Sequence, residues 1–342
     1  MLNVCNEYCY LGVVFSKSGS FKSASKTLND KAAGAMFSNI RNLYKYRSID
    51  IEIMLDLFDR MILPIALYGC EVWGINCVPT NISNNDFFKN SWLSKLITEV
   101  LHYRYLKILL GVPRGTSNWA ISTETGRFPL MIKVFKSLLS YYYHLNQSKS
   151  PIVRAAFNLS KQLAVSGVNS WYKTVTRTFE FCGVPQTSIN AENIKHSNKY
   201  LEATMKKLYL TKWNNERKEF LFNSKLDFFA SLKTELKMSA YLKCNIFPEY
   251  KKAITKIRVS AHKLPIETGR YDNTARIDRV CPLGCMAIGD EAHYLLSCKH
   301  PSFINIYHEI IEKEIRCKIP FFAEKSNEEK LNILLNNTDF YT

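Results

Sequence analysis

Four residues, Cys281, Cys285, His293 and Cys298, form a C-x3-C-x7-H-x4-C pattern. Any fold that brings them together must wrap some twenty residues around one centre. Three thiolates and one imidazole complete a tetrahedral zinc shell with no open position, the composition of a structural site rather than a catalytic one. Pro282-Leu283-Gly284 can turn the backbone between the first two thiols, and Asp290-Glu291 precede the histidine. The H-x4-C half has the spacing of a zinc knuckle, while the front half is longer than the compact C-x2-C-x4-H form. The competing reading is a set of reduced cysteines in a helical protein, since seven further cysteines lie elsewhere. Spacing and turn chemistry favour the metal.

At 342 residues the chain is long enough for two or three domains. A hydrophobic content of 46% with 13% aromatics excludes a mostly disordered protein. Lysine and arginine number 46 against 30 acidic residues, a formal charge of +16. That excess points to a polyanionic partner held by phosphate neutralisation, without separating RNA, DNA and an anionic membrane surface. The start, Met1-Leu2-Asn3-Val4-Cys5, has no basic leader followed by an apolar run, so no signal peptide is expected. The greasiest stretch, Ile53 to Tyr68, carries Asp56, Asp59, Arg60 and Pro64 and is too short and too charged to cross a bilayer. Ten cysteines without a leader suit a reducing compartment, nuclear or cytoplasmic, with no membrane partner.

The fold class expected from the pattern is mainly α. Tyr8 to Phe15 is aromatic and β-branched and Ser16 to Ser20 supplies a turn, so a short β-hairpin opens the chain. A long helix follows at about 22–44, with Ala24, Leu28, Ala32, Ala35, Met36, Ile40 and Leu43 lining one side. A second helix is expected at 51–70, bent at Pro64. Further helices are predicted at about 87–110, 117–125, 129–146, 151–164, 170–180, 188–222, 248–263, 302–313 and 327–336. Gly111-Val112-Pro113, Gly126-Arg127-Phe128-Pro129 and Gly183-Val184-Pro185 punctuate them.

Several segments, taken in order, resemble one family. They are Tyr10-Leu11-Gly12-Val13, Gly19-Ser20-Phe21 and the run from Leu63-Pro64-Ile65-Ala66-Leu67-Tyr68-Gly69 to Cys70-Glu71-Val72-Trp73-Gly74. Next come Leu110-Gly111-Val112-Pro113, Glu124-Thr125-Gly126-Arg127-Phe128-Pro129 and Asn169-Ser170-Trp171-Tyr172. Lys256-Ile257-Arg258-Val259-Ser260-Ala261-His262, Gly269-Arg270-Tyr271 and the cysteine-histidine tetrad close the series. This order is similar to the region that follows the catalytic palm in non-LTR (LINE-type) retrotransposon reverse transcriptases. No single word in it is specific; the order is.

The resemblance implies five segments. Residues 1–20 would be the end of the palm, with Tyr10, Leu11 and Gly12 in a primer-grip-like hairpin. Residues 21–76 would form the helical thumb, 77–247 a helical linker, 248–305 a basic helix with a zinc-stabilised CCHC module, and 306–342 a helical tail. It implies structural Zn2+ on Cys281, Cys285, His293 and Cys298, and RNA (the element's transcript) and target DNA as partners. Polymerase chemistry needs paired carboxylates around two Mg2+ ions, which the family supplies from an aromatic-x-Asp-Asp box upstream of the Tyr-Leu-Gly segment. The chain contains no Asp-Asp pair. Mg2+ is therefore expected only for a catalytic region lying outside it, and no enzymatic activity is expected of the chain alone. The family's upstream endonuclease is not expected here either, and the 44 residues after Cys298 are too few for the alternative C-terminal nuclease.

Lys252, Lys256, Arg258, His262, Lys263, Arg270, Arg276 and Arg279 crowd the approach to Cys281. On a helix from 248, Lys252, Lys256 and Lys263 fall at spacings of four and seven and read as one charged face. The functional reading is a phosphate-tracking surface; the competing one is a solvated helix face. Tyr271, Tyr294 and His300 are candidates to stack on unpaired bases, although Tyr294 can equally pack inside the module. The five tryptophans, Trp73, Trp92, Trp119, Trp171 and Trp213, read as core anchors. Three functions stay open at this level: a nucleic-acid-binding region of a reverse transcriptase, part of a complete RNA-directed DNA polymerase, and a host-adopted zinc module that binds protein.

Overall fold

A computed structural model of the chain describes residues 5–43, 50–74, 88, 90–181, 183, 194–222, 224–306 and 313–336. It is mainly helical, with a short N-terminal two-stranded hairpin and a Cys3His cluster near the C-terminus. The chain divides into two compact units. One comprises Met1–Tyr46, Ile53–Tyr105 and Phe128–Asn215; the other comprises Arg47–Glu52, Leu106–Arg127 and Glu216–Thr342. The stretch 77–247 thus contributes to both.

In the first unit, Glu7–Tyr10 pairs antiparallel with Val13–Ser16. The last pair, Tyr10 with Val13, leaves Leu11 and Gly12 as a two-residue turn with φ of 47° and 84°. Positive φ at both central positions is the turn whose twist matches that of the strands. Glycine takes it freely, whereas Leu11 holds it under strain and is 72% exposed. The helix Lys22–Leu43 buries Ala24, Leu28, Ala32, Met36 and Ile40, one residue per turn on a single stripe.

The expected bend at Pro64 has a specific form. Ile51–Leu57 runs into a π turn at Phe58–Ile62 and then a short helix Leu63–Ala66, ending at Gly69 with φ 65°. Pro64 cannot donate to the helical ladder, and widening the preceding turn is one way a helix absorbs that loss. The turn also buries Phe58 and Ile62 completely, and Phe58 stacks on His102 and packs against Tyr105. The helices Met131–Gln147, Pro151–Val165 and Trp171–Phe181 pack in sequence, with Phe135, Leu138, Leu139, Val175 and Phe179 fully buried. The long helix Ile194–Phe220 buries Leu201, Met205, Tyr209 and Trp213 at four-residue intervals.

Several expected boundaries moved. The helix expected at 87–110 is interrupted, with Asn90–Leu93 separated from Ile97–Leu110. The one expected at 248–263 stops at Arg258, and a separate helix Pro265–Tyr271 follows. The cause is local. Ser260 takes a left-handed φ of 51°, and Leu264, preceding Pro265, is held in an extended conformation. Lys263 therefore does not share a helical face with Lys252 and Lys256. Trp73, Trp119 and Trp213 are buried anchors, while Trp92 and Trp171 are half-buried. The start of the helix expected at 188–222, the Val184-Pro185 punctuation and the second half of the helix expected at 302–313 lie outside the described residues. Among the described residues, no helix is long and apolar enough to cross a membrane.

Candidate metal centre

The centre is built on a short hairpin in the second unit. Val280 bridges Ile288, the Cys281 amide donates to the Ala287 carbonyl at 2.8 Å, and the Gly289 amide donates to the Arg279 carbonyl at 2.8 Å. The tip, 282–286, turns through Gly284 at φ 85° and Met286 at φ 50°. It presents Cys281 and Cys285 to the same side as His293 and Cys298. Asp290 caps the turn that carries the histidine, its Oδ1 accepting from the His293 amide at 2.8 Å. Glu291 is buried and accepts from Ser260 Oγ at 3.2 Å, and its Oε1 lies 2.8 Å from His262 Nε2. That pairing ties the module to the segment that follows the helix Pro248–Arg258.

The four ligand atoms of Cys281, Cys285, His293 and Cys298 all lie within 4.8 Å of one another. The Sγ atoms of Cys285 and Cys298 are 3.8 Å apart. A tetrahedron with Zn–S bonds of about 2.3 Å has S···S edges of about 3.8 Å, so the cluster has the dimensions of a filled site. His293 Nε2 is buried without a hydrogen-bond partner, which is the state of a ring nitrogen aimed at a cation. The cluster can bind a metal such as zinc.

Its electrostatics agree with that assignment. Burial pushes the Cys281 thiol up. Hydrogen bonds from the Tyr294 hydroxyl and the Leu283 backbone, with His293 and Cys285 close beside it, outweigh burial and bring it down to about 6. The thiolate is the metal-ligating form. Cys298 is pushed up, by burial first and by Cys285 and Cys281 next, against the lowering effect of its hydrogen bond to the His300 backbone. Tyr294 is raised by burial and by its bond to Cys281, so its hydroxyl stays a donor to sulfur. Its ring packs edge-on against Phe303.

Comparison with protein families, with curated proteins and with solved structures finds no match.

The eight basic residues expected to form one phosphate-tracking face have different fates. Lys256 and Lys263 are exposed. Lys252 is half-buried, its stem lying so close over Gly111 that a Cβ there would come within 2.7 Å. Arg276 is exposed and pairs with Asp227 at 2.7 Å, and Arg270 pairs with Glu267 at 3.0 Å. Arg279 donates to the Thr274 and Ile266 carbonyls, so it braces the hairpin. His262 is turned inward to Glu291.

Arg258 is a correction: its side chain is 0% exposed. Its Nε donates to Glu124 Oε1 at 2.6 Å, and one terminal nitrogen donates to the Leu335 carbonyl and Asn336 Oδ1. A guanidinium so enclosed binds no external phosphate. It holds the helix Asn327–Asn336 in place.

Sequence reading did not find this buried polar cluster. Glu124 also accepts from Ser239 Oγ at 2.8 Å and the Tyr241 hydroxyl at 2.6 Å, and Lys233 donates to Ser239 Oγ at 2.7 Å. Burial would raise the Glu124 carboxyl, but the charge and hydrogen bonds of Arg258 hold it below the usual range. Burial likewise brings Lys233 down to about 8, against the pull of Glu124. The only sequence signal was indirect: Glu124 and Arg258 stand in two of the segments that carry the family resemblance.

Gly126, in the first of those segments, has φ 66°, and a Cβ there would lie 2.5 Å from the Met238 amide nitrogen. Gly126→Ala is therefore expected to destabilise the protein by about 2–3 kcal/mol, combining left-handed strain and a backbone clash. A shift in the urea midpoint at unchanged slope measures it.

Tyr10, Leu11 and Gly12, expected to form a primer grip, sit at the tip of the hairpin, where Tyr10 is 56% exposed. The stacking candidates divide. Tyr271 is 79% exposed, whereas Tyr294 and His300 are turned against Phe303. Charge also divides unevenly. The unit containing the hairpin carries 22 Lys/Arg against 10 Asp/Glu, an excess of 12; the unit containing the metal centre carries 24 against 20, an excess of 4.

Proposed function

We propose that the chain is a nucleic-acid-holding region, the part of a non-LTR retrotransposon reverse transcriptase that follows its catalytic palm. Zn2+ on the Cys3His cluster serves as a structural element, and RNA and target DNA are the partners. The observation that carries this reading is a cluster of closed-site dimensions on a chain of charge +16. Cys281, Cys285, His293 and Cys298 would hold the zinc. With all four positions taken by protein it supplies no open coordination site, so its contribution is shape. The proposal assigns these residues grip and no catalysis.

The charge distribution adds a detail. Most of the excess lies in the first unit, where the helix Ile194–Phe220 carries Lys195, Lys199 and Lys207 on its exposed side. The long-range, sequence-independent part of binding is therefore assigned there, and the metal module contributes local contacts. Polymerase activity belongs, on this reading, to the palm of the whole enzyme.

Binding of the full chain to a structured RNA and to a matched DNA duplex across a salt series tests the proposal. The expected result is submicromolar affinity near physiological salt. The plot of log affinity against log salt should have a slope of about −4 or steeper, reflecting about five or more neutralised phosphates. Affinity that disappears with modest salt would contradict it and favour a protein-interaction module.

A further inference from the structure

A cavity of about 200 Å3 in the second unit shares a wall with the metal module, the residues 290–292 that lead into His293. Its charges are layered. The carboxylates of Glu267 and Glu291 are 3% and 6% exposed, whereas the side chains of Lys225, Arg270 and Arg276 are 38%, 28% and 49% exposed. Acceptors thus form the floor and cations the rim, with Phe228 and Ile266 supplying apolar wall. Glu267 is the group that folding leaves unfinished. Its Oε1 accepts from Arg270 Nε at 3.0 Å, but its Oε2 is buried and accepts no hydrogen bond. Lys225 Nζ stands 3.1 Å from that oxygen outside hydrogen-bonding geometry, so it balances charge without filling the lone pairs. A buried acceptor left open is costly, and such a group calls for an explanation.

Three cations and four carboxylates line the cavity, so the layering and not the net charge chooses the ligand. A cationic group is opposed by the rim, and an anionic group is opposed by the floor. What fits is a neutral group with hydrogen-bond donors at its inner end, joined to an anion at its outer end. A nucleotide has that build. Among the bases, guanine alone sets two adjacent donors, N1–H and the 2-amino group, on the edge it would turn to a carboxylate. We infer that this cavity takes one unpaired guanine base of a bound RNA, with Glu267 accepting from N1–H and the 2-amino group. The inference rests on the nucleic-acid reading above and names a contact within it. RNA sequence is read mainly where bases are unpaired and offer their Watson–Crick edges to a pocket. The phosphate stays at the rim. Arg270 spends its Nε on Glu267, and Arg276 spends one terminal nitrogen on Asp227 at 2.7 Å. A guanidinium has donors to spare beyond these, so each arginine can keep its carboxylate and still donate to phosphate.

The test uses the full, zinc-loaded chain and a single-stranded RNA of uridines carrying one central guanosine. This strand should bind about tenfold more tightly than the same strand with inosine, which lacks the 2-amino group. A strand with adenosine should bind no better than the inosine strand. Glu267→Gln keeps the shape of the side chain but sets an amide where the base needs an acceptor. Ser231→Met fills the cavity while leaving Glu267 in place. With zinc content as the check on folding, each variant should bring the guanosine-to-inosine affinity ratio down to about one.

Equal binding of the guanosine and inosine strands by the unaltered protein would overturn the base pocket and leave the nucleic-acid reading standing. Glu267-dependent binding of free guanosine monophosphate, with no preference among the strands, would also overturn it by making the ligand a free nucleotide. A preference that survives both variants would place guanine recognition elsewhere and overturn the assignment to Glu267. No RNA binding by the unaltered protein would overturn both readings.

Discussion

Replacing Cys281 or Cys298 with serine is expected to abolish zinc binding at a stoichiometry of one and to unfold the segment 279–300. The reason is how little apolar packing holds that segment. Its hairpin has a single bridge and two flanking backbone hydrogen bonds. Cys281 and Cys298 are themselves its deepest apolar side chains, with Ile288, Leu295 and Leu296 only half-buried. A module this small cannot build its own core. Zinc bound to such ligand sets contributes apparent free energies of about 10–16 kcal/mol, far more than these contacts supply. Metal content and hydrogen exchange read the two halves of the prediction. Amides of 281, 289 and 293 should exchange freely in the variants, while the helix Lys22–Leu43 keeps its protection. One retained zinc with unchanged protection would mean that other residues hold the metal.

Arg258→Met should be the most destabilising single change in the second unit outside the metal ligands. It leaves the Glu124 carboxylate, 0% exposed, without its cation and strips two acceptors at the end of the helix Asn327–Asn336. Breaking a buried pair by removing one partner costs about 3–5 kcal/mol. The double variant Glu124→Met with Arg258→Met should recover much of that loss, because the penalty is chiefly the uncompensated charge.

The pH dependence follows from the same pair. The folded-state pKa of Glu124 is depressed, so its contribution is complete above the unfolded value of about 4. It is lost as pH falls through the lower folded value. Arg258→Met should therefore be hurt most at neutral pH and less below about pH 4. Urea midpoints at pH 7 and pH 3.5 decide it; equal losses at both would place the destabilisation elsewhere.

The residues that sequence reading located and those it missed differ in one respect: whether the pattern is local. The stripe from Ala24 to Ile40 and the tetrad from Cys281 to Cys298 are written within single segments, and both took the expected form. The apolar spacing of Ile254, Ile257 and Ala261 carries the helix expected from 248 past Arg258. The left-handed turn at Ser260 and the proline at 265 end it. Arg258 was misassigned for a different reason. Its partner lies 134 residues away, and an arginine between Ile257 and Val259 on a lysine-rich helix looks the same whether it faces solvent or a buried carboxylate. Lys233, Ser239 and Tyr241 were silent for the same reason, each an ordinary polar residue until the chain folds around Glu124.

The claim that metal shapes a nucleic-acid grip is tested most directly by RNA affinity with and without zinc. Structured RNA would be titrated at near-physiological salt with the zinc-loaded chain and with the same chain stripped by a chelator, then reloaded. The account predicts submicromolar binding by the loaded protein, at least about tenfold weaker binding after stripping, and recovery on reloading. Binding that is indifferent to zinc, or absent from the loaded protein, would contradict it.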